Sequence, residues 1–239
     1  MALMALLTPV CAPTRDTPVD AARAEDATAV VRYRTDVTLG AARLEAGVLV
    51  VTNDLGLTFR LTDVWVGDYA VALVPCEAAR RTEVRWPSGL AWANHGEPTP
   101  TEVLVALPHS LLAPPASGDL AVAALEPIRY CTAYLGTRRV RPDWEGRPST
   151  PALDGFSLVL RGTWVRPGEA AQPLSAEAIP AVAALIPVSI DGMDRSVTVT
   201  FVRDLGRLMD GLDPRALQSD ELAYRALRNL QEHVTVTVR

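Results

Sequence analysis

From about Ala29 onward, apolar and polar side chains alternate with a period of two, the spacing of a half-buried β-strand. Residues 47–52 form an apolar run, and Asn53-Asp54-Leu55-Gly56 supplies turn chemistry. The return strand sets Leu57, Phe59 and Leu61 against Thr58, Arg60 and Thr62. This pattern predicts a hairpin with one face buried and the other wet. A second hairpin is predicted next: Val64-Trp65-Val66, a turn at Gly67-Asp68, then Tyr69 to Val74, ending at Pro75. Further strands are expected over 83–86, 101–107, 119–125, 128–135 and 156–165. Many short strands with Gly and Pro between them signal an antiparallel sandwich or barrel.

The last quarter changes character. The Ala-rich stretch 175–186 predicts a short helix, kinked at Pro180 and stopped by Pro187. The next strand sets Val197, Val199 and Phe201 against Ser196, Thr198 and Thr200. Asp204 is placed to cap a short helix through Met209 that Gly211 ends. Residues 219–233 carry the strongest helical signal. Ser219 or Asp220 caps the helix, Glu221 and Arg225 pair at i,i+4, and Leu222, Ala223, Ala226, Leu227 and Leu230 share one face. The closing VTVTVR matches the earlier VTVTFVR, so both strands are expected in one sheet with the helices on its apolar face.

The fold class is therefore mainly β. An antiparallel β-sandwich or barrel body spans 29–165, a C-terminal α+β segment over 166–239 continues it, and an extended N-terminal arm over 1–28 precedes both. At 239 residues the chain can bury a large core without staples.

Charge narrows the chemistry. The net charge of −5 gives no general attraction to nucleic acid. All 23 basic residues are Arg. Without Lys there is no Schiff base, no P-loop lysine and no Ser–Lys nucleophile pair. Cys11, Cys76 and Cys131 have no metal or redox spacing. Cys76 and Cys131 are expected as buried free thiols, with a single bridge the other option. Residues 1–12 lack the basic lead of an export signal, and Pro9-Val10 is a poor approach to a lipid-bearing Cys11. They read as part of the finished arm, with Met4 and Leu7 held against a neighbouring subunit. No stretch reaches the ~18 continuous apolar residues of a membrane span.

Catalytic constellations are sparse. His95 and Glu97 share a loop and form the one candidate acid–base pair. His109 is separated from them by a predicted strand, and His233 ends a helix, where a partly charged ring suits the dipole. There is no G-x-S-x-G and no G-x-G-x-x-G. Asp143 and Glu145 flank Trp144 in a Pro-bounded loop, read as surface. No catalytic or metal residue is assigned and no cofactor is implied.

Contact surfaces are better marked. Tyr130, Tyr134, Arg138, Arg139, Arg141, Trp144 and Arg147 interleave Arg with aromatics, a composition favoured at interfaces and, less consistently with an acidic chain, at single-stranded nucleic acid. Trp86 and Trp92 flank a short loop and are read as edge anchors. The function expected first is a structural subunit of a large particle, a virion capsid or phage-tail component, with copies of itself and other subunits as partners. That places it in the assembled particle or the cytoplasm. The alternatives are an exported or lipid-anchored β-sandwich binding protein of the cell envelope, and an enzyme centred on His95 and Glu97.

Overall fold

A computed structural model of the chain describes residues 29–77, 99, 101–113, 120–141, 153–193 and 196–239. Its strands are β1 (Val30–Thr38), β2 (Arg43–Glu45), β3 (Val48–Thr52), β4 (Thr58–Pro75), β5 (Val103–Ser110) and β6 (Ala121–Ala124), then β7 (Arg129–Thr137), β8 (Leu158–Val165), β9 (Gln172–Ala178), β10 (Val182–Asp191), β11 (Val197–Asp204) and β12 (Thr235–Val238). A 3-10 turn (Leu205–Arg207) and helix α1 (Ser219–Glu232) lie between the last two. The mainly β architecture expected from the alternation is what the chain adopts.

β4 organises the molecule. Its 18 residues pair with β3 and β8 along the first half and with β5 and β7 along the second. The expected turn at Gly67-Asp68 is thus replaced by continuous strand. Two register shifts explain the broken alternation, one between Leu61 and Asp63 against β8 and one between Asp68 and Ala70 against β5 and β7. Each inserts a residue and moves the buried set to the other parity. Phe59 and Leu61 face the core, then Val64, Val66 and Asp68, then Val71 and Leu73.

The second sheet has the order β12-β11-β1-β6, with β11 parallel to β1 and antiparallel to β12. The two VTVT strands are therefore sheet neighbours, as their likeness suggests. This sheet covers the second half of β4 together with β7 and β10, burying Tyr33, Val71, Leu73, Leu135, Val199 and Phe201 in one apolar cluster. A second cluster lies over the first half, where Phe59, Leu61, Leu158 and Leu160 meet Leu222, Leu227 and Leu230 of α1.

Two local expectations are corrected. Residues 175–186 are not helix but the end of β9, a bend at Pro180, and the first half of β10. Leu174, Ala176 and Ala178 face α1 while Ser175 and Glu177 face outward. β9 finds hydrogen-bond partners on β8, and β10 on β7, so pairing overrides the helix propensity of Ala. α1 forms over the expected residues, capped by Gln218 without a side-chain bond rather than by Ser219 or Asp220. It lies mainly on β9, not on the β11–β12 face. Ala176 and Ala178 of β9 share an apolar cluster with Ala223 and Ala226 of α1, small side chains that suit close packing of helix on strand.

Turn residues weld these parts together. Asn53 is buried; its Oδ1 accepts from the Leu55 and Leu57 amides at 3.1 and 3.0 Å. Its Nδ2 donates to the Met209 and Leu212 carbonyls at 3.0 and 2.9 Å. Asp204 caps the 3-10 turn through the Gly206 amide, and Gly211 takes the positive φ that ends this stretch.

Candidate functional site

Two polar constellations stand out, one inside the fold and one on its surface. The internal one continues the apolar faces of two strands. Arg203 follows Val199 and Phe201 on the buried side of β11, and Asp68 follows Val64 and Val66 on the buried side of β4. Both are fully buried. Arg203 donates to the two Asp68 oxygens at 3.0 and 2.5 Å, and His109 Nε2 on β5 lies 2.8 Å from Asp68 Oδ2. This is a forked, charge-assisted pair with an imidazole as third member. It sits at the seam of the two apolar clusters, since Val66 belongs to one and Val71 to the other.

Burial alone would raise the Asp68 carboxyl, but the Arg203 charge and the His109 hydrogen bond outweigh it and hold it well below the usual carboxylate range. His109 Nδ1 and Arg203 Nε are buried without a protein hydrogen-bond partner. Asp68 and His109 belong to one sheet and Arg203 to the other, so the arrangement acts as a lock between the sheets. Neighbouring buried tyrosines are also pinned. Tyr33 donates to the Thr101 carbonyl at 2.9 Å, and burial raises its hydroxyl strongly.

The surface constellation lies on the solvent face of the helix-backed sheet, where β3, β4, β8 and β9 run side by side. A cleft of about 420 Å³ opens there, bordered by Arg60, Thr62, Arg161, Thr163 and Ser175, with Val48 at one end. Its floor is Gly162, opposite Leu61 at the first register shift. A Cβ at Gly162 would stand 2.1 Å from the Arg60 carbonyl oxygen, so only glycine lets β4 and β8 approach this closely. Arg60 pairs with Glu45 at 3.1 Å and Arg161 with Glu177 at 3.7 Å. Arg43 also holds Glu45, and the two guanidinium bonds keep that carboxyl below its ordinary value.

Cys76 and Cys131 form a disulfide joining the end of β4 to β7. The expectation of two free thiols is therefore corrected. The sequence separation of 55 residues hid a pairing that the antiparallel β4–β7 register brings about.

The interface candidates separate. Tyr130 is fully buried in the cluster beneath the second sheet, its hydroxyl accepting from the Glu126 amide at 3.2 Å, so it cannot serve an exposed surface. Tyr134 lies on the outer face of β7, between Leu185 of β10 and Ala72 of β4 in register. Burial, with the nearby Glu102 charge, pushes its hydroxyl up to about 12. Arg138 stacks over the Tyr69 ring at 5.0 Å, and Arg139 and Arg141 are exposed. Met4, Leu7, Trp86, Trp92, Trp144 and Arg147 lie outside the described residues, as do His95, Glu97, Asp143 and Glu145.

Sequence reasoning missed the internal lock. The signal was present in the alternation of β11, whose period places Arg203 on the apolar side, but the partner Asp68 read as a turn residue. Among the described residues no His, Cys, Asp and Glu group could hold a metal ion, and no helix is long and apolar enough to cross a membrane. Neither a protein-family model, nor a curated protein, nor a solved structure matches the chain.

Proposed function

We propose that this is an exported β-rich binding protein that works by presenting the open face of its helix-backed sheet to a ligand. The Cys76–Cys131 disulfide carries the reading. Disulfides persist in oxidising compartments and are rare in a reducing cytosol. A 239-residue chain with two apolar clusters does not need a staple to fold. A bridge added to an adequate core suits a protein that must persist outside the cell. The cleft over Gly162 gives the surface to be presented.

Cell fractionation of the native producer, with immunodetection of the untagged protein, tests this. Recovery from the envelope or the medium as free chains of about 26 kDa, the mass implied by 25.7 kDa, is the expected result. Recovery only from the cytosol would refute it.

A second reading, a capsid or tail subunit, is favoured by a different face. Leu104 and Leu185 are 51% and 53% exposed on the outer side of β5 and β10, with Tyr134 between them and the Arg138–Tyr69 stack alongside. Aromatic, aliphatic and Arg side chains together are what interfaces favour. Sedimentation of the native protein in a particle far larger than one chain would select this reading over the first.

A further inference from the structure

We infer that the cleft over Gly162 is a binding site for an acidic saccharide, a sugar chain bearing carboxylate or sulfate groups; this rests on the exported-binding reading and names its ligand class. The cleft's border contains two guanidiniums, Arg60 and Arg161, and no carboxylate. The two arginines project from the same outer face of adjacent strands. Arg60 pairs in register with Thr163, two residues from Arg161. The register shift sets Arg161 opposite Asp63, so the two guanidiniums border the cleft at different points along it and can engage acidic groups in succession. A guanidinium offers five N–H donors in a fixed fork suited to oxyanions.

Each arginine is held but not saturated. Arg60 donates one bond to Glu45, which Arg43 also engages. Arg161 meets Glu177 only at 3.7 Å, beyond a hydrogen bond, and Asp63 is engaged by the Thr62 hydroxyl at 3.2 Å. Glu45 and Glu177 orient the forks and leave N–H groups for a ligand. Thr163 and Ser175 add hydroxyls that can donate or accept and Thr62 one that can accept, the complement of sugar hydroxyls, and Val48 offers an apolar wall for a ring face. The depression, of about 420 Å³ and largely open to solvent, suits a chain laid along the sheet rather than an enclosed small molecule. The floor is set by strand pairing around Gly162 rather than by a loop, so the site is formed before a ligand arrives.

Calorimetric titration of the oxidised full-length protein tests this. The probes are an oligogalacturonate, a sulfated oligosaccharide, the methyl-esterified neutral oligogalacturonate, and inorganic phosphate. Saturable binding of at least one acidic saccharide is expected, weaker at higher salt and at least about 10-fold weaker in Arg60→Gln and in Arg161→Gln. Whichever acidic probe binds identifies the anionic group. Arg228→Gln, on the outer face of α1, should leave affinity unchanged, and thermal melts confirm that each variant folds. Failure of both acidic probes, equal binding of the neutral ester, phosphate binding as tight as the saccharide, or unchanged affinity in Arg60→Gln/Arg161→Gln would each overturn it. The titration is independent of where the protein resides, whereas fractionation reports location whatever the protein binds.

Discussion

Converting Asp68 to Asn keeps the volume of the internal lock and removes its negative charge. Arg203, with no exposed surface, then carries an uncompensated charge in the core, and the amide leaves Arg203 and His109 one acceptor oxygen where the carboxylate offered two. Breaking one side of a buried pair costs about 3–5 kcal/mol. At ~2–4 °C per kcal/mol for a chain of this size, Tm should fall by roughly 6–20 °C. The double variant Asp68→Leu/Arg203→Met removes both charges and should recover most of that loss, because replacing a buried pair by apolar groups is about neutral. The two single variants should differ in their pH response. In Arg203→Met, Asp68 loses the charge that opposes its burial, so its pKa rises, and the deficit at pH 7 should shrink as pH falls and the carboxyl protonates. In Asp68→Asn no carboxyl remains at this position to protonate, and the deficit should persist. Urea unfolding followed by tryptophan fluorescence at pH 7 and pH 5, with the disulfide intact, measures all four proteins. A loss below about 1 kcal/mol in Asp68→Asn, the value of an exposed pair, would refute the reasoning.

Other expectations follow from the same geometry. In the unmutated protein the Asp68 pKa lies below its unfolded value of ~3.9, so its stabilisation is present above that pH and lost as pH falls through the folded value. Acid titration monitored by near-UV circular dichroism should therefore show tertiary structure failing below about pH 4, not between pH 5 and 7. Reducing Cys76–Cys131, or replacing both with Ala, should cost about 4 kcal/mol by the loop-closure estimate for a separation of 55 residues, read as a lower urea midpoint. Gly162→Ala drives a Cβ into the Arg60 carbonyl and should destabilise by about 2 kcal/mol or more in the same assay. Asn53→Ala removes the side-chain partner of the Leu212 carbonyl and of the Leu55 and Leu57 amides, while the Met209 carbonyl keeps the Leu212 amide, and should cost about 2–3 kcal/mol, with faster amide exchange at Leu55 and Leu57.

Much of this fold was legible in its alternation, and the misses have physical causes. The hairpin of β3 with the start of β4, α1 and the β11–β12 pair follow from periodicity, and Asp204 caps a turn where a longer helix through Met209 was expected. β4 was misread as two strands because each register shift flips the buried parity, and in sequence a parity flip beside Gly67-Asp68 looks like a turn. The Ala-rich stretch was misread because Ala176 and Ala178 are small for the sake of α1 opposite them, a reason visible only in the packing. The lock was half legible. Arg203 breaks the apolar side of its strand, whereas Asp68 and His109 reach it from strands 41 residues apart in sequence. The cleft carried no local signature, since its arginines and hydroxyls are the ordinary wet side of three separate strands.

The claim on which the account rests is that the protein lives oxidised, outside the reducing cytosol. Thiols in intact producing cells can be trapped with iodoacetamide at acid quench and the Cys76 and Cys131 peptides followed by mass spectrometry without reduction. The account expects these two peptides covalently joined in nearly all of the steady-state protein. Separate, alkylated peptides in protein that is folded and abundant would contradict it.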